Sequence, residues 1–160
     1  MRRLSVADTV SWVSRVLVTG MSGAGKTTLL DTLRRRGLHV VDTDYDFWVL
    51  PDGLWDEPRM RQLLLDHSDL VVSGTVENQV QFYDRFSQIV LLTAPLDVLL
   101  QRVAHRTNNS YGTTQADRDE IARHVSTVEP LLRRGATVEL DGRRPVEELA
   151  DAVERLVSTS

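Results

Sequence analysis

Short apolar runs alternating with amphipathic stretches along 160 residues place the chain in the α/β class, as a three-layer α/β/α sandwich. Three observations carry this. The strand candidates are near-continuously apolar, as strands of a parallel sheet covered on both faces must be. The intervening stretches carry helical spacing. A hydrophobic content of 41% with no internal repeat or linker suits one core.

The elements follow in order. Val16 to Thr19 reads as the first strand and Lys26 to Arg36 as the first helix, stopped by Gly37 behind the basic run Arg34-Arg35-Arg36. His39 to Asp42 is the second strand. Glu57 to His67 has Met60, Leu63 and Leu64 on one helical face. Leu70 to Val72 and Gln88 to Leu92 are the third and fourth strands. Pro95 opens a helix whose stripe is Leu96, Leu99, Leu100 and Val103. Asn108 to Thr114 is a polar loop. A helix covers much of Ala116 to Arg134, Thr137 to Leu140 is the fifth strand, and Val146, Leu149, Ala150, Val153, Leu156 and Val157 face the last helix inward. Residues 1–14 read as an N-terminal extension and 15–160 as a single domain, with a lid-like segment at about 106–118.

The turn between the first strand and first helix reads Gly20-Met21-Ser22-Gly23-Ala24-Gly25-Lys26-Thr27, a full match to GxxxxGK[ST] in the strand-to-helix context that pattern requires. Glycines let successive N–H groups turn inward towards an anion, and the helix that follows adds its positive end. Lys26 then reaches the β- and γ-phosphates, the Thr27 hydroxyl ligates Mg²⁺, and Ser22, Ala24 and Thr28 complete the loop. The other reading, a glycine-rich turn that binds nothing, gives no reason for Lys-Thr after the last glycine. The expected ligands are ATP and Mg²⁺.

In a parallel sheet, ligands gather beyond the carboxyl ends of the strands. After the second strand stand Asp42, Asp44 and Asp46. Alternation aims Asp42 and Asp44 to one side. Asp42 suits support of the metal and Asp44 suits orientation and deprotonation of an acceptor hydroxyl. The alternative is an acidic turn that only solvates a strand end. Tyr45, Phe47, Trp48 and Trp55 cluster here, able either to wall an acceptor pocket or to pack beneath a lid, and Arg59 is a candidate grip for an anionic acceptor. Arg102 and Arg106, at i, i+4, precede the polar loop and could place cations on a transferring phosphoryl group under a water-excluding cover. Arg118 and Arg123 are further candidates. The four histidines, His39, His67, His105 and His124, have no metal-ligand spacing.

Composition narrows the partners. A net charge of −4 argues against a general nucleic-acid binder. The absence of cysteine removes disulfides and thiolate metal sites. No apolar run has signal-peptide or membrane-span length, so the expected home is the cytoplasm, the expected partner a small-molecule acceptor, and the expected state a monomer or homodimer.

On these motifs the chain resembles the small P-loop kinases that include shikimate kinase, gluconate kinase and adenylate kinase, over most of Arg15 to Val157. Gly20 to Thr28 looks like their ATP loop. Asp42-Thr43-Asp44 is similar to the Asp-x-Asp pair of shikimate kinases, in which the first carboxylate supports magnesium and the second holds the acceptor hydroxyl. Val90 to Pro95 through Arg102 to Arg106 looks like the strand, helix and paired arginines that open the family's lid. The likeness implies Arg102 against the adenine, Arg106 near the phosphates, Arg143 in an adenine-cupping loop Asp141 to Pro145, and sheet order 2-3-1-4-5. It also implies Gly74, in the turn after the third strand, as an acceptor-side residue, beside the Trp48 and Arg59 that the residues themselves offer. Only Ser73-Gly74-Thr75 stands where shikimate kinases carry a glycine run, and their acidic-Phe-Arg substrate motif is not evident around Glu57 to Arg61. The resemblance therefore implies ATP-dependent phosphoryl transfer to an open acceptor, either a nucleoside or nucleotide or a shikimate-like hydroxy acid. A nucleotide switch without an acceptor is the alternative, although no Asn-Lys-x-Asp motif occurs.

Overall fold

The structure, a computed structural model, describes residues 13–106 and 113–159. In chain order these form β1 (Ser14–Thr19), α1 (Lys26–Arg35), β2 (Val40–Asp42), α2 (Glu57–Asp66) and β3 (Asp69–Ser73). There follow a 3₁₀ helix (Glu77–Arg85), β4 (Gln88–Thr93), α3 (Leu96–Ala104), α4 (Gln115–Thr127), α5 (Glu129–Gly135), β5 (Val138–Asp141) and α6 (Val146–Thr159). The five strands form a parallel sheet of order β2-β3-β1-β4-β5, as the resemblance implied.

Strand alternation divides the core. Val16 and Val18 point to one face, where Leu29, Leu30 and Leu33 of α1 and Leu149, Ala150 and Val153 of α6 meet Val71 and Val90. Leu17 points to the other face, with Leu70, Val72 and Ile89, beneath Met60 and Leu64 of α2, Trp55, Phe82 and Phe86. Burial on both faces is why the strands read as unbroken apolar runs. On the rim, Arg36 fans out from the end of α1 to Glu147 (2.7 Å), Asp151 (2.8 Å) and Glu154 (2.9 Å), fixing α1 against α6.

Three boundaries depart from the sequence reading. Residues 1–12 of the expected extension lie outside the described residues, and Ser14 is already in β1, its N–H bonded to Ser68 O at 2.7 Å. The stretch from Ala116 to Arg134 is two helices, because Pro130 has no N–H to donate and sits where a new first turn tolerates it. Glu77–Arg85 was assigned no element. Its buried residues include the polar Asn78 and Gln79, so no apolar stripe marks it. Of the lid-like segment, residues 107–112 lie outside the described residues and α4 begins at Gln115.

Candidate active site

The glycine loop leaves β1 at Thr19 and enters α1 at Lys26. Gly25 caps the helix at φ +106°, a left-handed backbone that a side chain would strain. The loop closes with Ala24 N–H on Met21 O at 3.1 Å. Lys26 folds back over it, Nζ donating to Gly20 O at 2.6 Å and Met21 O at 3.2 Å. Burial drives the Lys26 ammonium down to about 8, with Asp44 and Asp42 pulling the other way and Arg106 adding to the depression. Ser22 and Thr28 are exposed, while Gly20 and Ala24 are buried.

Asp42 and Asp44 end up with different neighbours. Asp42, paired in register with Ser73, is buried. Its Oδ2 accepts the Thr27 hydroxyl at 2.8 Å and its Oδ1 accepts Asp44 N–H at 3.1 Å. A hydroxyl and a carboxylate oxygen side by side are the hard donors Mg²⁺ takes, the rest of its shell coming from phosphate and water. Among the described residues no cluster of three His, Cys, Asp or Glu could hold a metal ion. Asp44 lines the main cavity with Lys26. Desolvation raises its carboxyl above the ordinary range, opposed by the Lys26 charge, and Asp42 raises it further.

That cavity, ≈ 950 Å³, runs from Gly20, Met21 and Ser22 past Lys26 and Asp44 to a wall built by the 3₁₀ helix, α4 and α5. Sequence reasoning missed this wall. Its contributors include Thr75, Val76, Val80 and Tyr83 on one side and Ile121, His124, Leu131 and Leu132 on the other. Thr75 touches the phosphate loop itself, its Oγ1 donating to Gly20 O at 2.7 Å and accepting Gly20 N–H at 3.2 Å. Buried Gln79 extends that contact: its Nε2 donates to Thr19 Oγ1 (3.1 Å) and Tyr83 Oη (2.9 Å), and its Oε1 accepts Val76 N–H (2.9 Å). The carbonyl that receives Lys26 is thus tied through Thr75 and Gln79 to the cavity wall. The Gln79–Tyr83 hydrogen bond puts both side chains on the cavity side of the 3₁₀ helix.

The aromatic cluster does not wall one pocket. Trp55 is buried in the core, Nε1 donating to Thr43 Oγ1 at 3.0 Å, and Phe47 is 91% exposed on a turn where Asp46 and Phe47 both have positive φ (62° and 60°). Trp48 carries the Arg59 guanidinium 3.7 Å above its ring, and Arg59 Nη1 donates to Asp46 O at 2.7 Å. These two line a separate recess of ≈ 540 Å³ with Thr27, Asp42 and Tyr45. Gly74 lies in neither recess. A Cβ there would run into Thr43 Oγ1 and stand 3.1 Å from the Trp55 ring, so close packing explains this glycine.

Of the arginines, Arg102 braces the loop: Nη1 reaches Gly23 O (3.1 Å) and Ala24 O (3.2 Å), and Nη2 reaches Gly142 O (2.8 Å). Arg143 pairs with Asp141, Nη2 to Oδ2 at 2.8 Å, in the turn after β5. Arg106 is half-buried and its charge acts on both Lys26 and Asp44. Arg118 and Arg123 do not line the cavity, whereas Arg134 does. Of the histidines, His39 and His67 meet edge to face at 4.3 Å, and only His124 reaches the cavity.

A phosphate-gripping loop on the central strand of a 2-3-1-4-5 sheet defines a P-loop nucleotide-binding domain. The chain belongs to the AAA domain family, whose model matches residues 16–123. It is 30% identical over 130 residues to a nucleotide-binding protein of Rhodospirillum rubrum, a match covering 76% of this chain but 40% of that one, so the chain spans well under half of the relative's length. In fold it is similar to shikimate kinase from Acinetobacter baumannii in complex with shikimate (TM-score 0.70, 18% identity, 96% of this chain and 97% of that one). It is likewise similar to shikimate kinase from Bacteroides thetaiotaomicron (0.69, 18%, 91% and 99%) and to a gluconokinase from Sinorhizobium meliloti (0.58, 17%, 92% and 93%). At these identities the likeness is one of fold, and that fold is the small P-loop kinase fold.

Proposed function

We propose that the chain is an ATP-dependent phosphotransferase that moves the γ-phosphoryl group of ATP to a hydroxyl of a small-molecule acceptor. The observation that carries this is Lys26 and Asp44 on one cavity that opens directly from the phosphate loop. The fold likeness to kinases supports the reading.

The triphosphate lies along Gly20 to Thr28, with Gly23 and Gly25 turning N–H groups towards it while the Ala24 N–H closes the loop on Met21 O. Arg102 stabilises the shape of that loop, and Arg143, in the turn beyond β5, lies on the base side. Lys26 leaves its two carbonyl partners to meet the β- and γ-phosphates, and Arg106 adds positive charge as the phosphoryl group passes. Mg²⁺ held by Thr27 and Asp42 would neutralise charge on the phosphate oxygens. Asp44 accepts a hydrogen bond from the acceptor hydroxyl, whose oxygen attacks the γ-phosphorus. The bond from that phosphorus to the β–γ bridging oxygen breaks and ADP leaves. The hydroxyl proton passes to Asp44, whose raised carboxyl pKa brings it nearer the range of a working base. Trp48 and Arg59 lie beside Asp42 in the smaller recess, apart from the cavity that Asp44 lines, and Gly74 serves packing. The partner is a small molecule, with neither nucleic acid nor membrane required, and the protein acts in the cytoplasm as a monomer or homodimer. Among the described residues no helix is long and apolar enough to cross a membrane.

The test is coupled ADP release with ATP and Mg²⁺ across a panel of hydroxylated acceptors. A true acceptor raises turnover, and Asp44→Asn removes at least ~100-fold of that gain, as loss of a positioned base does. Slow hydrolysis indifferent to every acceptor and to Asp44 would instead identify a nucleotide switch.

A further inference from the structure

The cavity beside Asp44 has walls that do not suit an acid. Met21, Val76, Val80, Ile121, Leu131 and Leu132 make most of its surface apolar, and Tyr83 adds a ring held by Gln79. Its charged side chains, apart from Lys26, are Asp44, Glu77 and Glu120 against Arg134. Bound triphosphate would engage Lys26, Arg106 and the Mg²⁺ held by Thr27 and Asp42, so an anionic acceptor would find these cations already matched by phosphate and would face the cavity's carboxylates. The arginine that the sequence offered for gripping an acid lies elsewhere: Arg59 is stacked on Trp48 in the other recess. The volume of ≈ 950 Å³ is at the upper end for pockets that enclose a whole small ligand.

From this we infer that the acceptor is an uncharged or cationic alcohol whose hydroxyl sits on an apolar, ring-containing body, and not a carboxylic or phosphoric acid. The inference rests on the phosphotransferase reading and names the substrate class of the same site. The hydroxyl end lies at Asp44 and Lys26. The ring lies between the 3₁₀ helix and α5, in contact with Val80, Tyr83 and Leu132. A cationic group on the body, where one is present, meets Glu77.

Two measurements on the full chain test this. In the first, ADP release is followed with thymidine, adenosine and phenylethanolamine against thymidine monophosphate, shikimate and gluconate. In thymidine monophosphate the phosphate esterifies the 5′-hydroxyl, so shikimate and gluconate, which keep all their hydroxyls, carry the comparison of charge. The expected result is that a member of the first set stimulates at least tenfold more than any of the second, with the gain dependent on Asp44. In the second, the neutral fluorophore N-phenyl-1-naphthylamine is titrated into the ATP-bound protein and displaced with the same compounds. Val80→Asp and Leu131→Asp, at positions 61% and 58% exposed and so tolerant of a charge, should each weaken the fluorophore about tenfold. Preference for an acid, with turnover still dependent on Asp44, overturns the acceptor class and leaves the kinase. A fluorophore that does not bind, or binds both variants as well as wild type, overturns it too. A fluorophore that binds as expected while no compound stimulates turnover and Asp44→Asn changes nothing overturns the phosphotransferase reading, and this inference falls with it.

Discussion

Replacing Gly74 with alanine separates a packing role from an acceptor-binding one. The added Cβ would overlap Thr43 Oγ1, and that oxygen holds two buried contacts: it donates to Ser73 O at 2.7 Å and accepts Trp55 Nε1–H at 3.0 Å. Thr43 and Trp55 are each 1% exposed, so neither can swing into solvent. Overpacking in a closed core costs about 1–3 kcal/mol, and each displaced buried hydrogen bond about 1 kcal/mol. Gly74→Ala should therefore lose about 3 kcal/mol of stability, about 9 °C in Tm for a domain of this size. Thr43→Ala alone should cost about 2 kcal/mol, because it leaves the Trp55 indole without an acceptor. The double variant should fall short of the sum by about 1.5–2 kcal/mol, since removing the hydroxyl also removes the clash. Urea unfolding followed by tryptophan fluorescence measures all three. Additivity within about 0.5 kcal/mol would refute the packing argument. So would a Gly74→Ala protein of normal stability that had lost only acceptor-stimulated turnover.

Three further outcomes follow from the phosphate loop. With burial holding Lys26 at about 8, roughly half the free protein lacks this charge at pH 8, so Mg-ATP binding should take up about half a proton there and almost none near pH 6.5. Calorimetry in buffers of different ionisation enthalpy reads this, and an uptake that persists in Lys26→Met would assign it to another group. The sign for folding is set by the same shift: between about 8 and 10.5 the unfolded lysine keeps a proton that the folded one has lost, so this group makes stability rise with pH across that window. Arg102→Met removes all three guanidinium contacts to Gly23, Ala24 and Gly142, and should weaken ATP binding about tenfold while speeding amide exchange in the loop. Unchanged exchange would mean that the loop holds its shape without the brace.

What the sequence by itself determined is local. The glycine loop, Lys26 and Thr27 are contiguous, and their chemistry needs only that a strand precede them and a helix follow. Apolar periodicity marked the strands because both faces of the sheet are covered, and Asp42 and Asp44 were legible because one ends a strand and the other stands in the turn just after it. Only the tertiary structure decided where distant side chains meet. Trp55 and Phe47 look alike in the chain, yet one is held in the core by Thr43 and the other projects into solvent. Gly74, an acceptor-side candidate in the sequence reading, is explained by the Thr43 hydroxyl and the Trp55 indole, 31 and 19 positions earlier in the chain. Arg102 and Arg59 carry the same charge, but one reaches backbone carbonyls of the phosphate loop and the other an indole face. The far wall of the cavity is assembled from the 3₁₀ helix, α4 and α5, whose residues form no shared pattern along the chain. Hydrogen bonds and close packing act across space, so a side chain's partner is set by the fold even where its type is plain from the sequence.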